Sequence, residues 1–346
     1  MKKASAIVRI CVWGAVLLIA LCVLLGVVLG SGAGLALFSG KGDAGMNMET
    51  TVLKDETFSA EGIDSVRIEG RSEDVRILPS EDGQFRVYET IRRAGVGVLG
   101  EPGPAEVGLS GGVFSVRPTG SWFFMGLGFF EHNLDIYVPD THWKEFSASL
   151  ASGSLRAGQL TADNISLSCA SGRLEGDGFR ADETLSLHVT SGKSILRNAA
   201  CAEADMRTTS GEIQIDGLTA KNLRAELTSG MIRGASVTAD VLNLRTASGS
   251  LKLEGRFSDI SSRVTSGTTS IESAVTPEKL SVESSSGSIT CRLPAESVFD
   301  VDYRISSGSI HSDFGHSFNG RSGVTGAGDP VYQVKVTSGR VKLVAG

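Results

Sequence analysis

The chain has 346 residues, a formal charge of −6, 43 glycines and 6% aromatic residues. Setting aside the three cations Lys2, Lys3 and Arg9 leaves about −9, which excludes a protein that finds nucleic acid by charge. Five cysteines at unrelated positions exclude a disulfide framework, and without a Cys-x-x-Cys or a histidine cluster no metal site is expected.

Residues 1–9 read as a cytoplasmic N-terminus and residues 10–29 as one transmembrane α-helix. Ile10–Leu29 is uncharged, and twenty helical residues span a bilayer core of about 30 Å. Lys2, Lys3 and Arg9 precede it, so the positive-inside rule puts everything downstream outside the cell membrane. A cleaved signal peptide is the rival, but its apolar core would be shorter, about 7–15 residues. Cys22 follows Leu21 rather than a small residue, so it does not read as a lipid-attachment site. The Gly-rich residues 30–54 read as a flexible linker.

From residue 55 the pattern is β, and residues 55–145 read as atypical first coils. Val66, Ile68, Val75 and Ile77 flank Ser72 at the phases of the later repeat, and Phe85 and Val87 suggest a second unit. Gly95–Gly112 reads as loop. Residues 121–130 (SWFFMGLGFF) hold five aromatics, Trp122, Phe123, Phe124, Phe129 and Phe130. They read as a loop, either a lid over the end of the fold or an apolar patch for a bilayer or partner. Leu134–Pro139 returns to a strand.

Residues 146–346 are governed by ten in-phase Ser-Gly pairs, at Ser152, Ser171, Ser191, Ser210, Ser229, Ser248, Ser266, Ser286, Ser307 and Ser338. The spacing is 18 to 21 residues except before the last pair, where residues 316–329 read as a loop insertion. Six, four and two residues before each serine the residues are mostly apolar, as in Ile165/Leu167/Cys169 and Leu242/Leu244/Thr246. Polar residues lie between them, which is the period of a half-buried strand. A second apolar set falls three and five residues after the serine (Ile213/Ile215, Leu251/Leu253) and a third near plus eight (Leu160, Phe179, Leu218). The fold class is therefore all-β, a parallel β-helix or β-solenoid of about 19 residues per coil. Strand spacing makes ten coils a rod on the order of 48 Å. A propeller blade needs about 40 residues, and a sandwich would not repeat one dipeptide in phase. The alternation predicts serines pointing inward at a corner, with glycines accepting unusual dihedrals.

Three residues before each serine, an outward column reads His188, Arg207, Glu226, Arg245, Arg263, Glu283, Arg304, Lys335. Arg207, Arg245, Arg263 and Arg304 make it a mainly basic stripe, which reads either as a solvated charge ladder or as a docking face for an anionic envelope polymer. Carboxylate pairs on adjacent coils, clustered acids for calcium and a Ser/His/Asp constellation are all missing from the pattern, so neither catalysis nor a cofactor is expected.

These residues, from Val66-x-Ile68 and Val75-x-Ile77 through Leu134-x-Ile136-x-Val138-Pro139 to the terminal Val334-x-Val336-x-Ser338-Gly339-x-Val341, resemble the bacterial putative-adhesin family, a domain of unknown function. The resemblance covers about residues 57–346. It implies a β-solenoid and a surface role, with no catalytic residues to carry over. It also implies a second role, as an accessory component of an envelope-stress response system acting through a membrane protein partner. The expected partners are thus the membrane, a cell-wall polymer, a surface protein or a membrane signalling protein.

Overall fold

The computed structural model describes residues 49–99, 103–119, 123–326 and 328–346. The expected membrane helix and the tether up to residue 48 lie outside the described residues. Those described form a continuous β-solenoid. The strands of its first part are β1 (Glu49–Phe58), β2 (Ser65–Gly70), β3 (Asp74–Ser80), β4 (Phe85–Leu99), β5 (Gly103–Ser110), β6 (Val113–Thr119), β7 (Phe123–Pro139), β8 (His142–Leu150) and β9 (Ser154–Gly158). The regular array comprises β10 (Thr161–Cys169), β11 (Arg173–Asp177), β12 (Arg180–Val189), β13 (Lys193–Thr208), β14 (Glu212–Leu227), β15 (Met231–Thr246), β16 (Ser250–Val264), β17 (Thr268–Ser273), β18 (Lys279–Ser284) and β19 (Ser288–Leu293). The last are β20 (Asp300–Ile305), β21 (Ser309–Ser312), β22 (Ser322–Val324), β23 (Val331–Val336) and β24 (Arg340–Ala345).

Each coil has three sides, and like residues stack on like. Leu185, Ala204, Leu223, Leu242, Ile260 and Leu280 are successive Cα partners on the first side, all buried. Ile213, Ile232 and Leu251 do the same on the second side, and Leu218 and Val237 on the third. Fully burying one such side chain is worth about 1.5–3 kcal/mol, so the array rests on columns rather than on any one contact.

The first corner differs from the sequence expectation. The serines point outward: Ser152 is half-buried and the other nine are exposed. Two consecutive outward residues precede the glycine, which takes the inward place. Of the ten corner glycines only Gly153 has a positive φ, so unusual dihedrals do not explain them. Close stacking does. A Cβ on Gly172, Gly192, Gly211, Gly230, Gly249, Gly267 or Gly287 would overlap the carbonyl oxygen of the glycine one coil before. The ladder meanwhile continues unbroken around the bend, with Ser210 N donating to Thr190 O at 2.7 Å and Glu212 N to Gly192 O at 2.9 Å.

The second corner is where left-handed backbone occurs. Seven residues after the serine, Gln159, Gly178, Asn198, Gly217 and Ser236 have φ between 49° and 81°. A non-glycine residue there is strained by about 1–2 kcal/mol, against the 0.5–1 kcal/mol that glycine forfeits in the unfolded chain. Ser236→Gly is therefore expected to stabilise the fold by about 0.5–1 kcal/mol, measured by denaturant unfolding.

Coil order departs from chain order at both ends. At the C-terminal end β23 and β24 insert between the coil of β18–β19 and that of β20–β21. At the other end β2 and β3 sit between β6–β7 and β8–β9. The outermost coils are thus mid-chain segments whose edges antiparallel strands cover: β5 on β6, β4 on β7, β1 on β4, and β22 on β20. Covered edges are how a solenoid avoids pairing with other chains.

These covers correct four sequence expectations. Glu49–Lys54, expected in the linker, already belong to β1, whose largely exposed side chains leave no alternation to read. Phe85 and Val87 are buried, but on an antiparallel cover strand rather than a solenoid coil. Gly95–Gly112 is largely β4 and β5, not loop, and the aromatic segment from Phe123 onward is strand in β7, paired with β4 from Leu99↔Phe123 to Arg93↔Phe130. The insertion 316–329 folds down over the last coil: His316 Nε2 donates to Phe299 O at 2.8 Å, Tyr303 Oη donates to Asn319 O at 2.7 Å, and Phe318 packs edge-on against Tyr303.

Aromatic clusters pack within both end regions. Phe85 stacks on Phe114 at 3.9 Å between ring centroids, with Phe58 and Trp143 alongside. Phe299 contacts Phe314, His316 and Tyr332 at the other end. Cys169 and Cys291 are buried thiols and Cys201 a half-buried one, none of them bridged. Burial pushes Cys201 up to about 11 and Cys291 up to about 12, as unreactive core residues should be.

Candidate functional site

The outward residues of the first side form two parallel columns, three and five residues before each serine. Strand register makes the first column continuous: His188 opposite Arg207, Arg207 opposite Glu226, Glu226 opposite Arg245, and Arg245 opposite Arg263. Arg263 then faces Glu283, Glu283 faces Lys335, and Lys335 faces Arg304. The inserted C-terminal coil thus places Lys335 before Arg304 in space. All four arginines expected in the stripe are brought onto one face.

The second column adds Asp205, Arg224, Asn243, Ser261, Ser281, Gln333 and Asp302 to the same face. Arg224 was not among the residues singled out from the sequence. Its position five before the corner has the same parity as the stripe, which is the signal that could have found it. Together the two columns from Asp205 onward hold six cationic side chains against four carboxylates, on a chain whose overall charge is −6.

Glu226 is the hub of one cluster. It accepts from Arg224 at 2.5 Å, with Arg207 at 3.5 Å and Arg245 at 3.6 Å. Glu283 is the hub of the second, with Lys335 at 2.8 Å and Arg263 at 2.9 Å. The hydrogen bond from Lys335, followed by that from Arg263, holds the Glu283 carboxyl below its ordinary range despite partial burial. Between the hubs, Arg245 and Arg263 stand side by side at strand spacing, their side chains about two-thirds exposed. Arg304 makes no ion pair among the described residues.

Shallow grooves run along this face. One of about 380 Å³ is lined by Arg224, Asn243, Arg245, Ser261, Arg263 and Ser281. A second of about 380 Å³ continues past Arg263 and Glu283 to Arg304 and Lys335. A third, about 540 Å³, lies toward the first coils between Arg117, Glu69, Ser149, Ser168 and His188. Guanidiniums alternating with hydroxyls and an amide bind oxyanions through charge-assisted, often bidentate hydrogen bonds. A linear arrangement repeating at about 4.8 Å suits an extended polymer better than a compact molecule.

The aromatic residues are not joined to this face by anything described. Trp122 lies outside the described residues, Phe123, Phe124 and Phe129 are placed only as backbone positions in β7, and Phe130 is half-buried.

No curated protein matches the sequence. Solved structures with similar arrangement include a putative lipid binding protein from Parabacteroides distasonis, 16% identical, TM-score 0.44, covering 87% of this chain and 98% of that one. A putative adhesin from the same organism is 11% identical with TM-score 0.43, covering 86% and 98%. Another from Parabacteroides merdae is 11% identical with TM-score 0.40, covering 86% and 97%. The family model described as Toastrack DUF4097 matches residues 63–344, the span of the solenoid from its first coil to its last strand. The chain belongs to the Toastrack DUF4097 family.

Proposed function

We propose that this protein is a non-enzymatic, membrane-anchored, extracytoplasmic scaffold whose first side docks an anionic polymer of the cell envelope. The observation that carries the reading is the adjacency of Arg245 and Arg263, exposed along a groove that Ser261, Ser281 and Glu283 also line, and set between two carboxylate hubs. Glu226 is shared among three arginines and Asp205 meets Arg207, so two carboxylates face three guanidiniums and part of their charge is left over. The apolar stretch Ile10–Leu29 supports the anchored placement.

A charge-assisted hydrogen bond contributes about 1.5–3 kcal/mol, which is tenfold or more in affinity. The double variant Arg245→Ala/Arg263→Ala is expected to weaken binding of a model polyanion such as polyphosphate by about tenfold or more per arginine. Neutral dextran should not bind, and rising salt should weaken the interaction. Unchanged binding by the double variant overturns the reading. Cross-linking in native membranes separates it from a role beside a signalling partner: recovery of a sensor kinase in place of wall polymer favours the latter.

A further inference from the structure

Away from the basic face, three side chains on successive coils converge at the start of the first side. His142 opens β8, Asp163 lies in β10 and Asp182 in β12. Their donor atoms all lie within 4.8 Å of one another. His142 Nε2 is 2.7 Å from Asp163 Oδ1 and 3.9 Å from Asp182 Oδ2, and all three side chains are substantially exposed.

A β-bulge builds the cluster. Between Ala181 and Thr184, β12 has two residues where β10 and β13 each have one. A bulge re-aims a side chain that regular pairing would place elsewhere. Of the two residues it presents, Glu183 is engaged by Asn164 Nδ2 at 3.0 Å, and Asp182 turns to His142. Elsewhere along the stack, acids such as Glu203, Asp177 and Asp259 meet an asparagine or lysine from the adjacent coil. Here two stacked carboxylates meet an imidazole instead.

We propose that His142, Asp163 and Asp182 form a binding site for a first-row divalent metal ion of the zinc class. Bonds of about 2.0–2.1 Å in a tetrahedral site place ligand atoms roughly 3.3 Å apart, and the observed 2.7 Å and 3.9 Å bracket that value. Exposed side chains close the difference by small torsional changes. An imidazole in the set selects zinc-like ions over calcium or magnesium. Three protein ligands leave a fourth position for water or a donor from outside the chain. No sequence spacing announces this site, because its ligands come from three coils and only stacking unites them.

A metal ion bonds only an unprotonated imidazole nitrogen. Metal and proton therefore compete, and affinity should rise with pH. The test is calorimetric titration of the full chain with zinc chloride at pH 7.5 and pH 5.5. One zinc per chain is expected, bound more weakly at the lower pH. Loss of an outer-shell partner alone costs about 10- to 100-fold, so His142→Ala and Asp182→Asn should each weaken binding at least tenfold. His311→Ala, at a separate exposed His–Asp pair, should leave it unchanged. Asp182→Asn keeps side-chain shape, so it decides the matter if His142→Ala perturbs the corner. No saturable binding at millimolar zinc, or equal binding by Asp182→Asn, overturns the proposal.

Discussion

Gly230→Ala is expected to destabilise the solenoid by about 3 kcal/mol or more, whereas Ser229→Ala, one residue earlier, should change stability by less than about 0.5 kcal/mol. A Cβ on Gly230 would overlap the carbonyl oxygen of Gly211 and lie 2.8 Å from the carbonyl carbon of Ser210. Both are backbone atoms of the preceding coil, so no rotamer change relieves the overlap. Overpacking that side chains can absorb costs about 1–3 kcal/mol. Here the coils themselves must separate, which stretches the ladder bonds from Ser229 N to Thr209 O, 2.7 Å, and from Met231 N to Gly211 O, 2.9 Å. Ser229 faces solvent and loses only a hydroxyl. Denaturant unfolding of the two variants measures the contrast, and hydrogen exchange across residues 209–231 locates it, since repeat arrays need not unfold as one unit. Equal stabilities would mean that the glycine column is not a stacking requirement.

That contrast also marks how far the sequence could be read. The period of two, the coil length and the inward triplets were legible because burial selects apolar side chains and every coil repeats the selection. The corner was not, because glycine has no side chain whose polarity reports which way it faces. Extending the alternation through Ser210 to Gly211 therefore put the serine inside, when the chain in fact turns two successive residues outward. Coil order at the ends was illegible for a related reason. Val282 accepts Val334 as its neighbour as readily as Val264 accepts Ser284, since inward columns encode burial and not the identity of the next coil. The cover strands were hidden because strands such as β1 take their structure from edge pairing rather than from a buried face. The basic face was half legible: Arg207, Arg245, Arg263 and Arg304 fell in phase, but Arg224 and the grooves needed the neighbouring column.

Glu89→Ala is expected to cost about 3–5 kcal/mol, concentrated in the cover over the first coils. Glu89 is 1% exposed on β4, and its carboxylate accepts from His132 Nε2 on β7 at 2.7 Å and from Ala105 N on β5 at 2.6 Å. On the far side of the imidazole, Nδ1 lies 3.9 Å from Glu73 Oε1, and it makes no hydrogen bond among the described residues. Glu73, also buried, accepts from Arg71 N and Ser72 N in the turn between β2 and β3. Glu89 thus joins the cover strands β4 and β5 to β7, with His132 facing the β2–β3 turn across 3.9 Å. Removing the Glu89 carboxylate strands two buried donors at once, each worth about 1–3 kcal/mol when left unsatisfied. Glu89→Gln retains an acceptor and nearly the same shape, so its loss should be roughly half as large. Limited proteolysis between β4 and β7 should accelerate in the order Gln, then Ala, while hydrogen exchange in β14 and β15 stays at the parent rate. If instead both regions loosen together, the cover and the array form one cooperative unit, and the cluster stabilises the whole solenoid rather than latching its end.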